Sequence, residues 1–186
     1  MARERLTQQR WHLSHRADPR GRVLADRHYN RQKVGAKQFV PPGRCCVLLT
    51  ERADALWISS WPFGEYVQHG WPHAWVNSCF RNESPASNDC EDCAADVCEH
   101  HNLSSELIRE AVAATRAFFG ETPKQGMVTF VDADKTNHKR DPGRCYRKAG
   151  FKHVGFTQAG LWVFQLAPSD MPMALGAMPM IEESAA

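Results

Sequence analysis

The apolar and polar positions of the chain sort into short blocks with distinct periods. Residues 20–31 (RGRVLADRHYNR) place Val23 and Leu24 ahead of Arg27, His28 and Tyr29, which predicts a short helix ending near Gly35. The Pro41-Pro42-Gly43 turn opens the runs 45–51 (CCVLLTE) and 55–62 (ALWISSWP), a strand pair joined by a short polar turn. A third strand is predicted at 75–83 (WVNSCFRNE). Residues 103–120 (LSSELIREAVAATRAFFG) set Leu107, Ile108, Val112, Ala113 and Phe119 at near-helical spacing, with Ser104 or Ser105 as cap and Gly120 as stop. Residues 126–134 (GMVTFVDAD) form a compact β-rich run. A turn into a short helix follows at 141–151, then a hairpin over 153–168 around Gln158-Ala159-Gly160.

That order implies an α/β (α+β) fold with a mixed, mostly antiparallel central sheet flanked by helices. The strand–helix–strand step over 75–131 favours a right-handed parallel crossover, while the short turns favour antiparallel neighbours. A single domain is expected over 1–168. It carries a Cys-rich insertion at 84–102 (SPASNDCEDCAADVCEHHN) and an irregular or loosely docked tail at 169–186.

Composition narrows the class. With 186 residues, 42% hydrophobic and 24% charged, including 6 Trp and 9 Phe, the chain is too apolar and aromatic to be disordered. No run of eighteen apolar residues and no apolar stretch behind the Arg-rich start is present, so no secretion signal and no membrane span is expected, and a cytoplasmic location follows. The net charge of +2 hides a segregation: residues 1–44 carry +8, 45–134 carry −9, 135–152 carry +6 and the remainder −3. Two basic blocks distant in sequence either form one face for a polyanion or stand as separate solvated surface. Seven cysteines, an odd number without an export signal, point to reduced thiols or metal ligands.

Several groups carry candidate chemistry. Cys90, Cys93 and Cys98 with His100 or His101 offer the thiolates and imidazole that tetrahedral zinc prefers, and four protein ligands make such a site structural. The alternative is an exposed loop of fortuitous cysteines. Asp132 and Asp134 stand at the carboxyl end of their strand and point the same way if it persists, one as base and the other orienting it; a plain Asp-rich turn is the alternative. His28 and Tyr29 are either ordinary helix-surface residues or part of a site. Trp57, Trp61, Trp71 and Trp75 can hold a base taken out of the stack, or build core, the reading favoured for at least two of them. Asn77, Ser78 and Arg81 on the neighbouring strand are candidates for a base edge or a phosphate. Lys135, Lys139, Arg140, Arg144, Arg147 and Lys148 would contact the backbone of double-stranded DNA.

The element order, with a long helix after a central strand and a later short helix carrying Tyr146-Arg147-Lys148-Ala149-Gly150-Phe151, resembles the GNAT acyltransferase superfamily. Within it, the His28-Tyr29 pair, the 126–134 strand and the 140–151 block look like the Mom-like DNA-modification proteins of phages, over roughly residues 20–166. The resemblance implies that Tyr146 protonates a departing thiolate, that acetyl-CoA or another acyl donor binds near Ser104, Ser105 and Arg147, and that His28 with Asp132 or Asp134 holds a redox-active iron. It departs at one point: no glycine stands between Gly70 and Gly120, where these enzymes carry a pyrophosphate-binding glycine loop. The expected function is attachment of a small acyl-derived group to the exocyclic amine of adenine in DNA, for protection against restriction. The alternatives are a GNAT N-acyltransferase acting on a small amine or protein, and a non-catalytic zinc-containing DNA-binding module.

Overall fold

The computed structural model describes residues 9–63, 67, 69–85, 102–136 and 141–180. Seven strands form one sheet: β1 (Trp11–Ser14), β2 (Arg44–Thr50), β3 (Ala55–Trp61), β4 (Trp75–Asn82), β5 (Met127–Val131), β6 (Lys152–Phe156) and β7 (Trp162–Leu166). Their spatial order is β1-β2-β3-β4-β5-β7-β6. Only β4 and β5 run parallel, and the 16-residue helix α2 (Ser104–Phe119) crosses between them. The other α-helices among the described residues are α1 (Pro19–Asp26) and α3 (Arg144–Lys148).

Both faces of the central strands are covered, which explains their nearly continuous apolar runs. Cys46, Leu48, Ala55 and Trp57 face the core built with α2 and α3, where Leu107, Ile108, Ala111, Val112, Tyr146 and Phe151 pack. The alternating Val47, Leu49, Leu56 and Ile58 pack on Leu24 and Ala25 of α1 and on Phe39.

Several local details differ from the sequence-based expectation. Helix α1 stops at Asp26, so His28 and Tyr29 lie in the following turn and not on the helix. The Asp26 carboxylate accepts from Arg31 Nε at 2.7 Å and from the Gly35 N–H at 3.0 Å, a local arrangement that competes with further helix. Strand β5 ends at Val131, because Asp132 Oδ1 accepts the Lys135 N–H at 3.1 Å and turns the chain. The cap of α2 is Leu103, which makes no side-chain cap bond; Ser104 is already helical.

Strand β1 was not anticipated, being too short to display a period. Its Trp11 is fully buried and donates Nε1–H to the Leu107 carbonyl at 2.9 Å. The tail beyond residue 168 contributes little regular structure but is tied down: Leu13 N–H donates to Met178 O and Met178 N–H to Trp11 O, each at 2.9 Å, and Leu175 N–H reaches Ala113 O at 3.1 Å. Residues up to 180 therefore belong to the same packed unit.

Candidate functional site

The parallel pair is hydrogen-bonded only from Trp75–Met127 to Asn77–Thr129, although both strands continue. Where pairing stops, β4 also changes register against β3: Ile58 faces Cys79 and Ser59 faces Asn77, leaving Ser78 as a bulge. Bulges re-aim side chains and collect at functional sites. An open cavity of about 590 Å³ occupies this place, lined by the 28–32 turn, residues 76–80 of β4, Thr129 and Phe130 of β5, Lys135, Tyr146 and Leu161.

Its inner wall is a hydrogen-bonded cluster. Tyr146 donates its hydroxyl to Asn77 Oδ1 at 2.7 Å. Asn77 Nδ2 donates to the carbonyls of Ile58 and Cys79, both at 3.0 Å. Thr129 Oγ1 donates to the Asn77 carbonyl oxygen at 3.2 Å and lies 3.3 Å from its Oδ1. All three side chains are buried, at 8%, 3% and 2% exposure. Burial pushes the Tyr146 phenol well above its ordinary range, so it stays protonated. Its ring packs against Phe80, Phe151 and Phe164.

The outer wall comes from the turn after α1. His28 and Tyr29 stack on each other, centroids 4.4 Å apart. Burial, with Arg81 adding to it, pulls the His28 pKa down to about 4, so the imidazole is neutral at neutral pH. Its Nδ1 accepts the Asn30 N–H at 3.3 Å, which leaves the proton of the neutral ring on Nε2. Burial also raises the Tyr29 phenol, beside the Asp132 backbone. At the exposed rim stands Lys135, its Nζ 3.5 Å from Asp132 Oδ2.

The cavity thus brings together His28, Tyr29, Asn77, Ser78, Tyr146 and Lys135 from the residues expected to act, and leaves others out. Because β5 ends at Val131, Asp132 and Asp134 are not paired on one strand face; Asp132 serves the turn and Lys135, and Asp134 is exposed. Neither of the two lines the cavity. Arg81 is committed to Glu83 and to the Arg27 carbonyl, fixing α1 to β4. Arg147 is held by Asp141, by the Pro142 carbonyl and over the Phe164 ring. Ser104 Oγ accepts from Asn82 Nδ2 at 3.0 Å, and neither Ser104 nor Ser105 lines the cavity. Arg144 and Lys148 are exposed on α3. Trp57 and Trp75 are fully buried core and Trp61 packs on that core; the aromatic lining is Tyr29, Phe80, Phe130 and Tyr146 instead.

Cys90, Cys93, Cys98, His100, His101, Lys139 and Arg140 lie outside the described residues. Among the described residues no three His, Cys, Asp or Glu side chains gather around one point, and Cys45, Cys46 and Cys79 are free thiols. Burial lifts the Cys79 thiol to about 12, which makes it an inert wall residue. Asn30, Arg31, Gln32, Thr129 and Leu161 were not anticipated in the site. The polar run after His28-Tyr29 was the one available signal for the first three; Thr129 sits in an ordinary strand alternation. Compared with protein families, with curated proteins and with solved structures, the chain matches none.

Proposed function

We propose that the chain is a Mom-like transferase of GNAT type that attaches a small acyl-derived group to the exocyclic amine of an adenine removed from duplex DNA. The observation that carries this reading is the convergence, at the split between the two parallel strands, of the His28-Tyr29 turn and Tyr146, which carry the resemblance from opposite ends of the chain. A cavity of about 590 Å³ with aromatic and hydrogen-bonding walls suits one extruded base. Its rim draws Arg31 from the first basic block, which braces the turn through Asp26, and Lys135 from the second, an exposed cation placed for a flanking phosphate.

The chain's own residues bind and orient. Neutral His28 offers an Nε2–H donor, Tyr146 an oxygen on the inner wall, and Lys135 a charge at the mouth. The donor side fits the family less well. The start of α2 has backbone N–H groups free of intrahelical partners, but no glycine precedes it back to Gly70, Ser104 Oγ is already bonded, and Glu106 lies in the first turn. Iron fits no better: His28 Nδ1 is occupied by Asn30, Asp132 is turned to Lys135, and Asp134 is exposed.

Nucleoside mass spectrometry of DNA from cells expressing the chain tests the reading. A modified deoxyadenosine is expected, reduced at least about tenfold by Tyr146→Phe, the loss expected for one site hydrogen bond. Unmodified DNA from wild-type cells overturns it, and acylation of a free amine in its place favours the small-amine acyltransferase.

A further inference from the structure

The inner wall has a definite hydrogen-bond polarity. Asn77 Nδ2 faces two backbone carbonyls, which accept and cannot donate, so the orientation of the amide is settled by its neighbours. Oδ1 must then be the atom facing Tyr146, and an amide oxygen can only accept. Thr129 Oγ1 also lies within hydrogen-bond reach of the Tyr146 hydroxyl, but its own proton goes to Asn77, so the Tyr146 proton points to Asn77 Oδ1, its acceptor at 2.7 Å. What the phenol has left for the cavity is an oxygen lone pair. The bulge at Ser78 makes this arrangement possible, because the amide of Asn77 reaches the Ile58 carbonyl at the point where the ladder loses register.

We propose that Asn77 is a positioning residue that holds the Tyr146 hydroxyl as a hydrogen-bond acceptor toward the cavity, so that the ligand group meeting it is an N–H donor. The orientation stands on the hydrogen-bond geometry, and the choice of a base as ligand rests on the function proposed above. Tyr146 then does not stand ready to protonate a leaving group, as the resemblance implied; it reads the amine. Asn77, expected to touch a base edge itself, has both amide protons and its oxygen already bonded and acts through Tyr146.

Two measurements on the full chain separate this inference from the function it deepens. The first uses tyrosine labelled with carbon-13 at Cζ, in equal parts of H2O and D2O. A slowly exchanging hydroxyl splits its Cζ resonance, and only 3 tyrosines are present, so Tyr146→Phe assigns the signal. A split Tyr146 resonance is expected in the wild type, collapsing in Asn77→Leu. An unsplit wild-type signal, or a splitting that survives Asn77→Leu, overturns the proposal. If Asn77→Leu does not fold, Thr129→Val replaces it with the opposite expectation: the splitting persists, and its loss overturns the proposal. The second measurement compares binding of deoxyadenosine and purine 2′-deoxyriboside, which lacks the exocyclic amine and gains no N–H on the ring. Wild type should favour deoxyadenosine by roughly tenfold, as one matched hydrogen bond provides, and Tyr146→Phe should lose the preference. Equal or reversed binding by the wild type overturns the proposal. If neither nucleoside binds, the base-modifying function falls, and the Cζ signal alone decides the role of Asn77.

Discussion

His28 illustrates how a residue's surroundings set its charge. Its ring is packed against Tyr29 and half-buried in the cavity wall, and Arg81 adds a like charge, so the imidazolium is disfavoured in the folded chain relative to the unfolded one. With a folded pKa of about 4 against the ordinary 6.5, the unfolded chain binds more protons between these values. The contribution of His28 is therefore complete above about pH 6.5 and is lost as the pH falls toward 4, on the order of 1–3 kcal/mol in all. Denaturant unfolding across this range should show a weaker acid destabilisation in His28→Gln than in the wild type. Parallel stability curves would mean that His28 is solvated and titrates normally.

At the scale of elements, the placement of Tyr146 depends on the short helix α3, and that helix on Gly143. Gly143 has φ of +74° and precedes Arg144 as the cap of α3; a Cβ added there would run into the Phe164 ring, itself fully buried. Gly143→Ala should therefore lower stability by several kcal/mol, since strain and overpacking act together, and should weaken ligand binding in whatever fraction stays folded. A thermal midpoint within a degree or two of wild type would contradict this. The stabilising pair of Arg10 and Glu110 makes a comparable case: Glu110, nearly buried on α2, receives Arg10 at 2.6 Å, so Arg10→Met should cost about 3 kcal/mol by stranding a carboxylate, and Arg10→Met with Glu110→Gln should recover much of it in denaturant melts. Elements with a clear period, α2 and the strands β2 to β5, were legible in the sequence because burial on one or both faces writes itself into the apolar pattern. The ends of α1 and β5 were not, because Asp26 and Asp132 each stop an element by bonding to backbone N–H groups of residues that follow, and no periodicity records such competition. Strand β1 was illegible for a different reason: its four residues are held by β2 and by Met178, contacts distant in sequence. The site followed the same division. His28, Tyr29 and Tyr146 stood out through the residue patterns around them, whereas the role of Asn77 depends on a bulge between two strands.

Over the whole molecule the segregated charge acquires a geometry at the cavity mouth. Arg31 and Lys135 come from basic blocks about a hundred residues apart, and both line one opening. They are not equivalent. Arg31 is only 13% exposed and is bound to Asp26 at 2.7 Å and to the Ala36 carbonyl at 3.1 Å, so it shapes the turn that carries His28 and Tyr29. Lys135 is 57% exposed, and its 3.5 Å approach to Asp132 is a loose surface pair that a phosphate can replace at little cost. If a polyanion lies across the mouth, each neutralised phosphate releases condensed counterions, and affinity falls with salt in proportion to the number of such contacts. Lys135→Ala should then weaken binding of a short duplex uniformly across sequences, lower the slope of log affinity against log salt by about 1, and leave the unfolding midpoint where it was. Arg31→Ala should do the reverse in part, reducing stability through the lost Asp26 pair while also loosening the cavity wall, so that nucleoside binding suffers along with duplex binding. Fluorescence titrations of a labelled duplex at several salt concentrations, run beside thermal melts of the same variants, separate the two effects. A salt slope unchanged in Lys135→Ala would remove this residue from the phosphate-facing surface and place any nucleic-acid contact elsewhere on the molecule.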